Sequence, residues 1–200
     1  MTFTILHVCV GNICRSPMAE RLLTLALRAR LGPSVEDLYL SHGAGTGSWH
    51  VGEPMNPPAA RLLTQRGGDA SGFAARKLTA DMITASDLIL CATAWQVSGV
   101  LSLVPAAASR TFVLGEFGRL LAKADLAGLP AFEDDPHARG VALVEAVDAL
   151  RIYAGGKRLR PDDNDDLDDP YGMPDTFFAR TADTIERTVV PLAAALTDRS

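Results

Sequence analysis

The sequence predicts a single α/β domain: a four-stranded parallel sheet flanked by helices, with an irregular loop between the first strand and the first helix. Three observations predict it. Short apolar runs rich in β-formers alternate with longer stretches of helical spacing. The runs are apolar nearly throughout, the pattern of strands covered on both faces. The length, 200 residues of which 48% are apolar, suits one core.

The elements follow in order. Phe3 to Val8 is the first strand. Cys9 to Ser16 breaks the pattern with Gly11 and Asn12, and Pro17 suits the first turn of a helix, where its missing N–H is not needed. Leu22, Leu25, Ala26 and Ala29 keep helical spacing until Gly32-Pro33 ends the run. Leu38 to Leu40 is a second short strand, and Gly43 to Pro58, rich in Gly and Pro, is expected to be mostly loop. Ala59 to Arg66 reads as a helix stopped by Gly67-Gly68. Asp81 to Ser86 is a helical turn leading into the buried strand Asp87 to Cys91. Thr111 to Leu114 is the fourth strand and Glu116 to Lys123 a helix after it. Ala138 to Tyr153 is apolar with helical spacing. Gly155 to Asp169 runs from the basic cluster Lys157-Arg158-Leu159-Arg160 into aspartates, by composition a solvated loop. Pro174 to Leu196 reads as one long amphipathic helix with Pro191 inside it.

Composition excludes several classes. A net charge of −5 argues against nucleic acid as a partner, since that binding rests on phosphate neutralisation. No apolar run approaches the roughly 20 residues that cross a bilayer. The N-terminus has no Lys or Arg before its apolar stretch and does not read as a signal peptide, and three cysteines do not make a secreted disulfide framework. A cytoplasmic protein is expected, with no membrane partner and monomer as the default. His7, His42, His50 and His137 show no ligand spacing with one another or with the cysteines. Read as a calcium loop from Asp162, the aspartate run would need Gly at 167 and Glu at 173, where Leu167 and Met173 stand. No metal and no cofactor are expected.

The chemistry gathers in Cys9-Val10-Gly11-Asn12-Ile13-Cys14-Arg15-Ser16, a cysteine, five residues, an arginine and a hydroxyl between a strand and a helix. Backbone N–H groups from Val10 to Ser16 and the helix N-terminus form an anion site. The planar fork of Arg15 can hold two oxygens of a phosphoryl group, which Lys cannot do. Gly11 and Asn12 tolerate the left-handed backbone of a tight loop. The same field favours the nucleophilic thiolate of Cys9, and Ser16 can donate to the sulfur.

Val8-Cys9-Val10-Gly11-Asn12-Ile13-Cys14-Arg15-Ser16-Pro17 resembles the signature loop of the low-molecular-weight protein-tyrosine phosphatases at essentially every position. Ser41-His42-Gly43-Ala44-Gly45-Thr46 resembles that family's Ser-Ala-Gly-Thr segment with two residues inserted. Asp169-Pro170-Tyr171 resembles its Asp-Pro-Tyr motif. The resemblance covers residues 1 to about 120 and resumes from about 167 to 196, leaving a family-atypical insertion at about 124–166 within one domain, 1–200.

The resemblance implies hydrolysis of phosphotyrosine through a cysteinyl-phosphate. Cys9 would be the nucleophile, Arg15 the oxyanion clamp and Asp169 the general acid, with Asp168 its adjacent rival among the six aspartates of residues 162–169. It implies Trp49 and Tyr171 as aromatic walls of the substrate cleft, Cys14 as a redox partner of Cys9, and a phosphotyrosine protein, such as a tyrosine kinase or its targets, as the substrate. Two alternatives share the scaffold. One is an arsenate reductase coupled to a small thiol, Cys91 having no cysteine at positions 83 or 99 to pair with. The other is a catalytically weak phosphotyrosine- or oxyanion-binding regulator.

Overall fold

The computed structural model describes residues 1–151 and 165–198. Its elements are β1 (Phe3–Cys9), α1 (Arg15–Leu31), α2 (Val35–Leu38), β2 (Tyr39–Gly45), α3 (Pro57–Gln65), α4 (Ala80–Thr84), β3 (Leu88–Cys91), α5 (Ala94–Leu103), β4 (Thr111–Val113), α6 (Leu114–Leu121), α7 (Pro136–Ala149) and α8 (Asp175–Thr197). The four strands form one sheet in the order β2-β1-β3-β4, all pairs parallel. Parallel order forces each connection to cross over a face, so helices cover both. The expected fold class stands.

Side chains alternate along the strands as a two-residue period requires. Phe3, Ile5, Leu88, Leu90 and Phe112 face the larger layer, where α1, α6, α7 and α8 supply Leu23, Leu27, Phe117, Leu143, Ile185 and Val189. Leu6, Val8, Ile89 and Cys91 face the smaller layer of Ile83 and Val100 from α4 and α5. His7, in the middle of β1, is fully buried with only Nε2 partnered, by the Ser41 hydroxyl at 3.1 Å. Burial, and then His42, push its pKa down to about 3, so the ring is neutral.

Three elements differ from expectation, the first being the short helix α2, which ends on Leu38 and moves the start of the second strand to Tyr39. β2 does not stop at Leu40 but pairs with β1 residue for residue from Phe3↔Tyr39 to Cys9↔Gly45. No residue is looped out of that register, and Gly43 to Thr46 meets the catalytic loop rather than Ser41. The edge of β1 supplies hydrogen bonds that outweigh the low strand propensity of Gly43 and Gly45. Helix α5, between the third and fourth strands, had no signal in a stretch without a charged residue. The long C-terminal helix runs through Pro191 without a break.

The segment after α6 is built into the domain. Asp135 caps α7 by accepting from Ala138 N at 3.0 Å, with Pro136 in its first turn. A side chain at Gly140 would overlap the ring of Phe3, so the glycine lets α7 lie against the start of β1. Buried Arg139 donates from Nε to Ala195 O at 2.8 Å and from Nη1 to Pro130 O at 2.8 Å, tying α7 to the end of α8. The basic cluster at 157–160, Asp162 and Asp163 lie outside the described residues. Among the described residues, no helix is long and apolar enough to cross a membrane.

Candidate active site

The catalytic loop spans the end of β1 to the first turn of α1, at the carboxyl edge of the sheet. Its outer carbonyls are taken up by neighbours. Thr46 N donates to Cys9 O at 3.0 Å, Gly47 N to Val10 O at 2.9 Å and Asn56 N to Ile13 O at 2.8 Å. Gly45 makes this approach possible, since a Cβ there would fall 2.6 Å from Val10 O and 3.0 Å from Gly11 C, both backbone. Asn12 takes the left-handed conformation at φ 55°, a region where Asn is among the few tolerated side chains.

The hydrogen bonds around Cys9 fix one another. Arg76 N donates to Asn12 Oδ1 at 2.8 Å, which turns Asn12 Nδ2 toward Ser16, where it donates to Oγ at 2.8 Å. Ser16 Oγ, accepting from Asn12, lies 3.0 Å from Cys9 Sγ and donates to it once the sulfur is a thiolate. Asn12 N donates to the same sulfur at 3.3 Å. Two donors thus converge on a buried sulfur that has the N-terminus of the 17-residue α1 beside it.

Arg15 is buried and reaches across to the acid loop. Nη1 donates to Leu167 O at 3.1 Å and Nη2 to Asp169 Oδ2 at 2.6 Å, while Nε has no partner. Asp169 Oδ1 accepts from Tyr171 N at 3.2 Å, an Asx turn that orients the carboxylate. Asp168, the rival, lines a different cavity with Phe177, Thr181 and Thr184. Cys9, Arg15 and Asp169 share a cleft of about 140 Å³, and Trp49 (66% exposed) and Tyr171 (58% exposed) stand at its mouth. A hollow of about 540 Å³ elsewhere, between Asp87 and α7, is larger but has no cysteine in its lining. The small cleft is set apart by its chemistry.

Cys14 precedes α1 and is buried, and its pKa is pushed up to about 12 by burial, then by Cys9 and Asp169, against Arg15. It stays a thiol, and all three cysteines are free. Cys91 is buried in β3.

Sequence reasoning missed His50. Its ring lines the cleft between Trp49, with centroids 6.3 Å apart, and Tyr171, with centroids 6.1 Å apart. A Cβ on Gly11 would lie 2.9 Å from its Cδ2, so the ring rests on the catalytic loop itself. Nδ1 is 2.6 Å from Glu53 Oε2, which fixes the ring orientation. The one available signal was its place beside Trp49 and three residues before Glu53. Also missed was Glu20 on the buried side of α1, with Arg21 at 3.1 Å and Arg76 at 4.0 Å. Burial raises its carboxyl pKa, opposed by both arginines.

A family model for low molecular weight phosphotyrosine protein phosphatases matches residues 4–147. The chain belongs to this family. It is a protein-tyrosine phosphatase by kind, a phosphoric monoester hydrolase. A probable low-molecular-weight protein-tyrosine-phosphatase, EpsP, of Ralstonia solanacearum is 36% identical over 156 residues, 78% of this chain and 92% of that protein. The phosphatase Etp of Escherichia coli K12 is 37% identical over 115 residues, 57% of this chain and 70% of its own length. Among solved structures, a tyrosine phosphatase of Entamoeba histolytica superposes with a TM-score of 0.67 at 19% identity, covering 96% of this chain and 94% of that one. An arginine phosphatase of Geobacillus stearothermophilus, at TM-score 0.62 and 22% identity over 96% of this chain and 90% of that one, shares the fold.

Proposed function

We propose that this phosphatase hydrolyses aryl phosphates of the phosphotyrosine type in two steps at this cleft. Cys9 attacks phosphorus and forms a cysteinyl-phosphate, while the departing phenolate takes a proton from Asp169. Asp169 then takes a proton from the water that cleaves the S–P bond, releasing inorganic phosphate and restoring the thiolate. The observation that carries this reading is the pairing of Cys9 Sγ, held by two donors, with an arginine whose Nη2 is bonded to Asp169 across the same cleft. A phosphoryl dianion entering the cradle offers Arg15 a bidentate partner, including the idle Nε. It leaves Asp169 at the outer side, toward the leaving oxygen.

Val10 to Ser16 supply the backbone donors for the equatorial oxygens. Trp49, His50 and Tyr171 line the cleft with flat faces that suit a phenyl ring. Cys14 sits in the same loop as the nucleophile and could condense with an oxidised Cys9, at a rate limited by its raised pKa. The domain is one unit, with residues 124–151 an integral part of it, a reading supported by the buried contacts of Arg139 and Arg151.

The test is hydrolysis of p-nitrophenyl phosphate and a phosphotyrosine peptide, with phosphoarginine and arsenate reduction alongside. Cys9→Ser is expected to be inactive on both esters. Asp169→Asn is expected to lose about 10²–10⁴-fold on the peptide and much less on p-nitrophenyl phosphate, whose leaving group needs little protonation. An Asp169→Asn enzyme equally good on both, or one whose role passes to Asp168→Asn, would remove Asp169 from the mechanism. Preference for phosphoarginine or arsenate would replace the substrate assignment.

A further inference from the structure

The run of aspartates before the acid has the composition of a solvated loop, yet from Asp165 onward it is tied down residue by residue. Asp165 is buried, with Oδ1 accepting from Arg119 Nε at 3.0 Å and Oδ2 from Arg119 Nη2 at 2.6 Å. Its main chain lies on α6, so close that a Cβ at Gly115 would overlap the Asp165 carbonyl. Asp166 Oδ1 accepts from Ala94 N at 2.8 Å, satisfying an otherwise unpaired N–H at the start of α5. Leu167 is buried, donates to Ala92 O at 2.8 Å and accepts from Arg15. Asp169 follows two residues later.

We propose that the Arg119–Asp165 pair, seated on Gly115, is a positioning device that sets the height of Asp169 over Cys9. This rests on reading Asp169 as the general acid. Three residues lie between Asp165 and Asp169, and an extended chain covers at most about 3.6 Å per residue, so an anchor at Asp165 keeps the acid within roughly 14 Å. The main-chain contacts of Leu167, two residues before the acid, narrow that reach to roughly 7 Å and fix its direction. Of the three ties, the bidentate pair to a desolvated carboxylate is the one made by two charged side chains, and it has the most specific geometry. Arg119 and Gly115 lie on the face of α6 that meets this loop and do not line the cleft. They touch no reacting atom and act through the backbone. The pair also explains how an acid loop that follows a long family-atypical segment is brought to the site: the loop is docked on α6 immediately before the acid.

The experiment compares kcat/KM along a series of aryl phosphates, from p-nitrophenyl phosphate to phenyl phosphate, for wild type, Arg119→Gln, Gly115→Ala and Asp169→Asn, with a thermal melt of each. A misplaced acid costs rate only where the leaving group needs its proton. Arg119→Gln and Gly115→Ala are therefore expected to lose about 10- to 100-fold on phenyl phosphate, and to stay within about 2-fold of wild type on p-nitrophenyl phosphate. Binding of vanadate, which reports the cradle alone, is expected to stay within about 2-fold. Equal losses on both esters, or none on either, would overturn the anchor. If Arg119→Gln does not fold, Gly115→Ala carries the same test, because it displaces Asp165 without removing a charge. A flat response in Asp169→Asn would instead remove the acid assignment, and a selective loss there without one in the α6 variants would remove only the anchor.

Discussion

Arg15 in the catalytic loop and Arg151 just after α7 are buried to the same degree, each 5% exposed, yet their surroundings differ in kind. Arg151 is saturated. Its Nε and Nη2 hold both oxygens of buried Glu116 at 3.0 and 2.7 Å, and Nη2 also reaches Thr111 O at 2.8 Å. Nη1 donates to Ala108 O at 3.3 Å, and the guanidinium lies 3.7 Å from the centre of the Phe112 ring. Glu116 in turn accepts from Val113 N at the start of α6. Arg15 keeps an idle Nε and spends Nη2 on a half-exposed carboxylate. A buried cation with every donor placed is a fastener, and one with a donor held back is waiting for an anion. The contrast extends to the two regions. His7 Nδ1, Arg15 Nε and Asn56 Oδ1 are unpartnered, and among the described residues no such buried side-chain atom occurs between 114 and 151. Unmet hydrogen bonds are concentrated around the catalytic loop.

Swapping the same chemistry into the two arginines is the sharpest way to break this comparison. Arg15→Lys retains charge and removes the fork. It is expected to lower kcat/KM by about 10²–10³-fold, as loss of an oxyanion donor does, with little change in thermal midpoint. Arg151→Met should do the reverse, costing about 3–5 kcal/mol in denaturant titrations by leaving Glu116 charged and unpaired, with activity per folded molecule unchanged. A stability loss from Arg15→Lys as large as that from Arg151→Met would erase the distinction. The pair Arg151→Met with Glu116→Leu is expected to recover most of the loss, because the fully buried carboxylate is removed with its partner, and Asp148, the other carboxylate on Arg151, is partly exposed.

Smaller in effect is the pH dependence of the catalytic half. Burial holds His7 down to about 3, and burial and Arg76 hold His42 down to about 4, against about 6.5 when unfolded. Below pH 6.5 the unfolded chain binds more protons than the native one, so stability is intact above that value and falls as pH drops toward 4. His7 alone contributes a loss of about 2 kcal/mol at pH 5. Glu20, with its raised pKa, runs the other way. Chemical denaturation at pH 7.5 and 5 should show the fall, and His7→Asn should flatten it. An unchanged slope in that variant would shift the effect to other groups.

What could be read along the chain was whatever contiguous residues encode. Cys9 to Pro17 carries the proposed nucleophile, left-handed Asn12, the proposed clamp and the helix start within nine residues, and the loop they specify is local backbone geometry. The strands β1, β3 and β4 and the helices α1, α3 and α8 were legible from apolar spacing, because each buries one face or both. β2 beyond Leu40 was not legible, since glycines carry no apolar signal and its hydrogen bonds come from β1. Helix α5 was hidden because it carries no charged residue to mark its outer face. In the acid loop the sequence marked a run of aspartates and a motif, and the fold sorted them. Asp165 goes to α6, Asp166 to the start of α5, Asp168 to a separate cavity and Asp169 to Arg15, 154 positions away in sequence. The placement of His50 on Gly11, and the mutual saturation of Arg151 and Glu116, belong to the same class. The sequence by itself determined the fold class and the loop proposed to hold the phosphoryl group, because local conformation and hydrophobic period act over a few residues. Only the tertiary structure decided which carboxylate meets that loop and which buried charges are left unpaired, because those depend on distances between elements that packing alone sets.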